Sequence, residues 1–230
     1  MLKKVFAILI FAVSLFAASQ IENMPMVFAS PQDDVAKYTA EINADPNNAS
    51  NYYYRGRAYS NLKDYNNAIA DFTKAIELKP TSDSSYFRRG IAYYNLKQNE
   101  KAIADYTKAI EINPNNEIYY ACRADCYEKP SQKIADYDRA IQINPNFADA
   151  YCRRGVSYIQ IENYNQALND LTKAIALDPN QSDYYSARGG VYATLKDYKK
   201  ASADVNKALE LNPNSALAKQ LKAMLSLMGQ

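Results

Sequence analysis

Between Asn51 and Pro80 the apolar residues Tyr52, Tyr59 and Leu62, and then Tyr65, Ala68, Ile69, Phe72, Ala75 and Ile76, return at three- and four-residue spacings. That is helical periodicity, met twice in succession. Pro80 and the hydroxyl residues beside it stop the second helix and can cap the next, so the stretch reads as a helical hairpin. The hairpin recurs. Pro46, Pro80 and Pro114 stand 34 residues apart, Pro145 follows after 31, and Pro179 and Pro213 resume the interval of 34. Gly56, Gly90, Gly155 and Gly189 keep step, with Ala124 in the odd copy. A fixed period of this size means stacked units that each bury an apolar face against a neighbour. A glycine inside a helix costs about 1 kcal/mol against alanine, so its regular return marks a close approach between helices. Small residues such as Ala68 and Ala75 are the matching contacts.

Tyr52, Gly56, Tyr59, Ala68, Phe72, Ala75 and Pro80 reproduce the spacing of the tetratricopeptide repeat signature, with tyrosine where that family often has tryptophan. The chain resembles that family over five units, 49–82, 83–116, 117–147, 148–181 and 182–215. The resemblance implies an all-α fold, a right-handed solenoid of helix-turn-helix hairpins, whose concave groove binds other proteins. Two flanking helices are expected as caps, because an end repeat otherwise exposes its stacking face. One spans 33–48, where YTAEINADP echoes the YTKAIEINP closing the second repeat; the other spans 216–230, with a stripe of Leu217, Leu221, Met224, Leu225 and Met228.

In the family the groove wall is built from exposed positions of the first helices. Carried onto this chain, those positions give Tyr53, Arg57 and Ser60 in the first repeat and Phe87, Ile91, Tyr94 and Asn95 in the second. The third offers Ala121, Asp125 and Glu128, the fourth Cys152, Val156, Ile159 and Gln160, and the fifth Ser186, Gly190 and Thr194. The expected surface is aromatic and apolar at its N-terminal end, acidic in the middle and small at the far end. Aromatic side chains facing solvent in a trough are anchors for a peptide or helix; the alternative is that they pack onto adjacent repeats. Some chaperone-binding relatives grip a terminal carboxylate with lysines and asparagines at these positions, which here carry Tyr53 and Arg57.

One charge pattern repeats without exception. Arg55, Arg89, Arg123, Arg154 and Arg188 stand just before the small residue, where the family usually has leucine facing the hairpin interior. A buried charge needs a partner. The acid that also returns in every copy is Asp71, Asp105, Asp136, Asp170 and Asp204 on the second helix, so an arginine-to-aspartate pair is expected within or between hairpins. Alternatively each aspartate meets only the base three residues on, as an exposed helical pair. The third repeat is short: only EKPSQ lies between Tyr127 and Lys133, and Pro130 is expected to end its first helix early.

Met1 to Ser19 has two lysines, an uncharged apolar run from Val5 to Phe16, and Ala17 and Ser19 placed for cleavage. This is the three-part pattern of a secretory signal. A core helix or membrane anchor is the alternative, but the run is shorter than the roughly 20 residues that span a bilayer, and no lipobox cysteine follows. Residues 20–32, with Pro25 and Pro31, read as a tether. The processed chain is expected to be secreted or periplasmic, without stable membrane insertion.

Removing residues 1–19 takes Lys3 and Lys4 from 27 basic residues and none from the 25 acidic ones, which leaves a neutral chain. That disfavours a nucleic-acid partner. The absence of histidine excludes imidazole catalysis and histidine ligation, and nothing assembles a nucleophile, a base and an oxyanion site, so neither an enzyme nor a cofactor is expected. Cys122, Cys126 and Cys152 read as buried small hydrophobes, with a bridge from Cys152 to either of the others as the alternative. The functional expectation is a non-catalytic module that binds a protein or peptide in its groove; a structural subunit of an envelope or secretion assembly, or an accessory scaffold for an enzyme, are the other readings. N-terminal sequencing of the exported protein is expected to begin at Gln20; a mature form that keeps Met1 would contradict cleavage.

Overall fold

Ser30 accepts a bond from the Asp33 backbone N–H while the Asp33 carboxylate accepts from the Ser30 N–H, and this reciprocal box opens the first helix. Side-chain oxygens of Asn48, Asp64, Ser82, Asn116, Asn163, Asp197 and Ser215 each accept one first-turn backbone N–H and cap later helices. The computed structural model describes residues 30–228. Among them are twelve helices and no strand: α1 Pro31–Ala44, α2 Ala49–Asn61, α3 Tyr65–Leu78, α4 Asp83–Asn95, α5 Asn99–Ile112, α6 Glu117–Cys126, α7 Pro130–Ile143, α8 Ala148–Gln160, α9 Tyr164–Leu177, α10 Ser182–Thr194, α11 Tyr198–Leu211 and α12 Ala216–Leu227. The expected signal segment and most of the expected tether lie outside the described residues.

The described chain divides between Tyr127 and Glu128 into two compact units, α1–α6 and α7–α12. Within each unit a helix packs against the next in sequence, and first helices also meet, α2 with α4 and α8 with α10. The N-terminal unit buries Ala68, Phe72 and Ala75 in its first hairpin and Phe87, Tyr106 and Tyr119 further on. The C-terminal unit buries Leu171, Val191 and Val205, and α12 closes it with Leu217, Leu221 and Leu225.

The arginine-to-aspartate pairing is present within hairpins. Arg55 donates from Nε and Nη2 to the Asp71 carboxylate at 2.8 and 2.7 Å. Arg89 grips Asp105 at 2.8 and 2.8 Å, Arg154 grips Asp170 at 2.7 and 2.6 Å, and Arg188 grips Asp204 at 2.8 and 2.8 Å. The aspartate side chains are 6–9% exposed. The remaining nitrogen, Nη1, reaches back to the helix before its own: Arg55 to the Thr39 hydroxyl, Arg89 to Thr73, Arg123 to Thr107, Arg188 to Thr172, and Arg154 to the Asp138 carboxylate. Each guanidinium also lies over the tyrosine three residues before it, as Arg89 does over Tyr86 at 5.7 Å. The exposed alternative is not what the lysines do: Lys74, Lys108 and Lys207 pair with Glu77, Glu111 and Glu210.

Two details differ from the sequence reading. The first helix begins at Pro31 rather than residue 33, since Ser30 caps it and proline suits the first helical position. In the short repeat α6 is indeed brief, but Pro130 does not end it. The helix stops at Cys126, Tyr127 is extended, and Pro130 opens α7. The hairpin turns place Lys63, Lys97, Glu162 and Lys196 at φ of 60, 61, 59 and 64°, the left-handed region, which costs a side-chain-bearing residue roughly 1–2 kcal/mol. Backbone bonds hold them there, Asp64 N–H to Tyr59 C=O at 2.9 Å and its equivalents.

The recurring glycines mark close approach, unequally. A methyl group on Gly90 would lie 2.7 Å from Cε1 of the buried Tyr106 ring, whereas on Gly155 it would meet Leu171 Cγ at 3.1 Å. Gly90→Ala is expected to destabilise by about 1–3 kcal/mol, overpacking outweighing the gain in helix propensity, and Gly155→Ala by less. Urea unfolding of the two variants checks the order.

Candidate functional site

In the N-terminal unit the first helices set tyrosines and one arginine on a common face. Tyr53 is half-buried, edge-on to Tyr54 at 5.4 Å and tilted against Phe72 at 5.9 Å. Tyr54 stacks on Tyr38 of α1 at 5.3 Å. The Arg57 guanidinium sits 5.9 Å from both the Tyr53 and the Tyr54 ring. Ile91 and Tyr94 follow on α4, both half-buried, with Lys97 Nζ 5.5 Å from the Tyr94 ring. Asn95 turns its amide back onto the Ile91 carbonyl at 3.0 Å, and Asp125 is half-buried on α6.

The expectation of outward side chains fails at several positions. Phe87 is 9% exposed because it lies between Tyr106 at 5.7 Å and Tyr119 at 4.7 Å, so it is core. Val156 and Ile159 in the C-terminal unit are 7% and 3% exposed; α10 brings Val191 and Ala193 into the same cluster as Ile159. Cys152 and Ser186 are buried as well. Gln160 stays half-buried, its Oε1 without a hydrogen-bond partner. Among the described residues Cys122, Cys126 and Cys152 form no disulfide, and burial pushes the Cys152 thiol up.

Tyr53 and Arg57 do come together, in an open cleft of about 350 Å³ lined also by Ala49, Ser50, Tyr54, Lys79, Ser82, Ser84 and Ser85. Two cations, the Ser50 hydroxyl and two tyrosine rings make a surface suited to hydrogen-bond acceptors and negative charge. Tyr54 and Lys79 were not among the sequence candidates. Lys79 had a readable signal: the residue before the repeat-closing proline is Asp45, Asn113, Asn144, Asp178 or Asn212 elsewhere and lysine only here.

Beside the cleft, Asp83 begins α4. Burial would raise its carboxyl, but bonds from Asn113 at 3.1 Å, Tyr119 at 2.9 Å and the Ser84 N–H at 2.8 Å outweigh it and hold it below the ordinary range. In the C-terminal unit Tyr184 donates to Asp149, and burial raises the neighbouring Asp183 carboxyl. Among the described residues no cluster of metal-ligating side chains occurs, and no helix is long and apolar enough to cross a membrane.

Profiles described as Tetratricopeptide repeat match residues 49–82, 84–116, 148–181 and 182–215, more than half of the chain. No curated protein matches it. Among solved structures it is similar to YrrB, titled a TPR protein with an unusual peptide-binding site, at 22% identity and TM-score 0.66, over 81% of this chain and 97% of that one. It is similar to MamA at 22% identity and TM-score 0.65, over 70% and 96%. Yeast Tom70 aligns at 18% identity and TM-score 0.65 over 94% of this chain, which spans less than half of Tom70's length. At these identities the likeness is one of fold.

Asp83 and Asp183 make opposite contributions to stability. A lowered carboxyl stabilises above its unfolded value, near 4, and loses that contribution as pH falls through the folded value; a raised one stabilises below about 4 and loses it as pH rises. Asp83→Asn is therefore expected to destabilise at pH 7 and Asp183→Asn to stabilise, both differences shrinking towards pH 3. Urea midpoints across that range check the signs.

Proposed function

The chain belongs to the tetratricopeptide repeat family, and we propose that it is a protein-interaction module that holds a peptide or protein segment along its first helices, without catalysis, outside the cytoplasm. The observation that carries this reading is the open cleft at Tyr53, Tyr54 and Arg57; on the next first helix, α4, Ile91 and Tyr94 are half-buried. A half-exposed ring already fixed by its neighbours gives contact area at small entropic cost, which is the character of an anchor. YrrB, similar in fold, is titled as having a peptide-binding site, and the proposal extends that kind of role to this chain. The export reading rests on the lysines, apolar run and small residues of Met1 to Ser19.

Affinity capture from secreted or envelope extract tests this with the wild-type protein beside a Tyr53→Ala, Ile91→Ala, Tyr94→Ala variant. Anchors of this kind contribute about 2 kcal/mol each, so the triple variant is expected to lose the captured partner while keeping its helical circular dichroism. Equal capture by both proteins would move the binding surface elsewhere.

A further inference from the structure

The first repeat alone carries a base at two places, and both put a positive charge in the same cleft. At the Arg57 position of the first helix the other repeats carry Ile91, Asp125, Val156 and Gly190. At the Lys79 position they carry Asn or Asp, whose side-chain oxygen accepts from the backbone N–H two residues on, as Asn144 does from Asn146 at 3.0 Å and Asp178 from Asn180 at 3.1 Å. Lys79 has no oxygen to offer, so this repeat gives up a local hydrogen bond that its siblings keep.

Neither cation is neutralised. Arg57 meets only the rings of Tyr53 and Tyr54, and Lys79 forms no ion pair among the described residues. This contrasts with Arg55 and Arg89, each gripped by an aspartate. No acidic side chain lines the cleft. The nearest one in sequence, Asp83, turns both oxygens to Asn113, Tyr119 and Ser84. Ser50 adds a hydroxyl donor at the wall.

We propose that the cleft receives an acidic residue of the bound segment, its carboxylate between Arg57 and Lys79 and its flanking residues against Tyr53 and Tyr54. The inference rests on the peptide-binding reading above and specifies its ligand class. An arginine held over aromatic faces is already oriented, so its fork meets a carboxylate with little further ordering. The bound segment is thus selected by charge as well as by apolar area.

A random dodecapeptide library displayed on phage, panned on the full chain and on the Arg57→Glu, Lys79→Glu variant, tests both levels. Peptides selected by the wild type are expected to be enriched in Asp or Glu at a fixed position. The variant is expected to select Lys or Arg there and to bind the wild-type winners at least about tenfold more weakly, the scale of one close charge pair. Neither residue belongs to the arginine–aspartate ladder, and Arg57→Gln, Lys79→Gln serves as a second, milder variant whose thermal unfolding is compared with wild type. Selected peptides without acidic enrichment, or bound equally by the variants, would overturn the acidic ligand while leaving peptide binding intact. Displacement of a winner by inorganic phosphate but not by acetate would assign the cleft to a phosphoryl group and equally overturn it. No enrichment of any peptide on the wild type would remove the peptide-binding reading itself.

Discussion

The structure depends on what it does with an arginine in the middle of each hairpin. A guanidinium at a position where an apolar side chain would otherwise sit must have its donors satisfied, or its burial destabilises the fold. Here two nitrogens grip the aspartate of the same hairpin and the third reaches the preceding one, as Arg89 does with Asp105 and Thr73. The same residue therefore closes its own hairpin and fixes the next stacking step. Fork-to-fork geometry admits little rotation, so the pair sets orientation as well as contact. The tyrosine beneath each guanidinium covers its open face.

That arrangement frees the first helices to carry unlike surfaces. With stacking held by the arginine, the aspartate and the glycine, the outward positions vary between repeats: Arg57, Ile91, Asp125, Val156 and Gly190 occupy one equivalent place. In the N-terminal unit the result is a tyrosine-walled cationic cleft. In the C-terminal unit the corresponding positions are largely closed, with Val156 and Ser186 buried. The cationic cleft thus lies where the first repeat carries Arg57 and Lys79 and its siblings carry no base at the equivalent positions.

Much of this could be read from the chain. The proline interval and apolar spacing specify the hairpins, and a buried arginine that returns in every repeat requires an acid, which points to Asp71 and its equivalents. Which first-helix side chains face outward could not be read, because periodicity names a face but not how near the next helix comes. Phe87 is core because Tyr119 reaches across to it, and Ile159 because α10 brings Val191 alongside. Lys79 is not legible as a groove residue because it lies at the end of a second helix, whereas the family pattern places the groove wall on first helices. The turn residue Lys63 gives no sign of its left-handed backbone, since lysine has no preference for it.

A double-mutant cycle on Arg89 and Asp105 bears most directly on the account. Arg89→Met alone and Asp105→Leu alone should each cost about 3–5 kcal/mol, because each strands a buried charge, while the double variant should cost far less than their sum. Losses that are small and simply additive would show that the two charges do not hold the hairpin together.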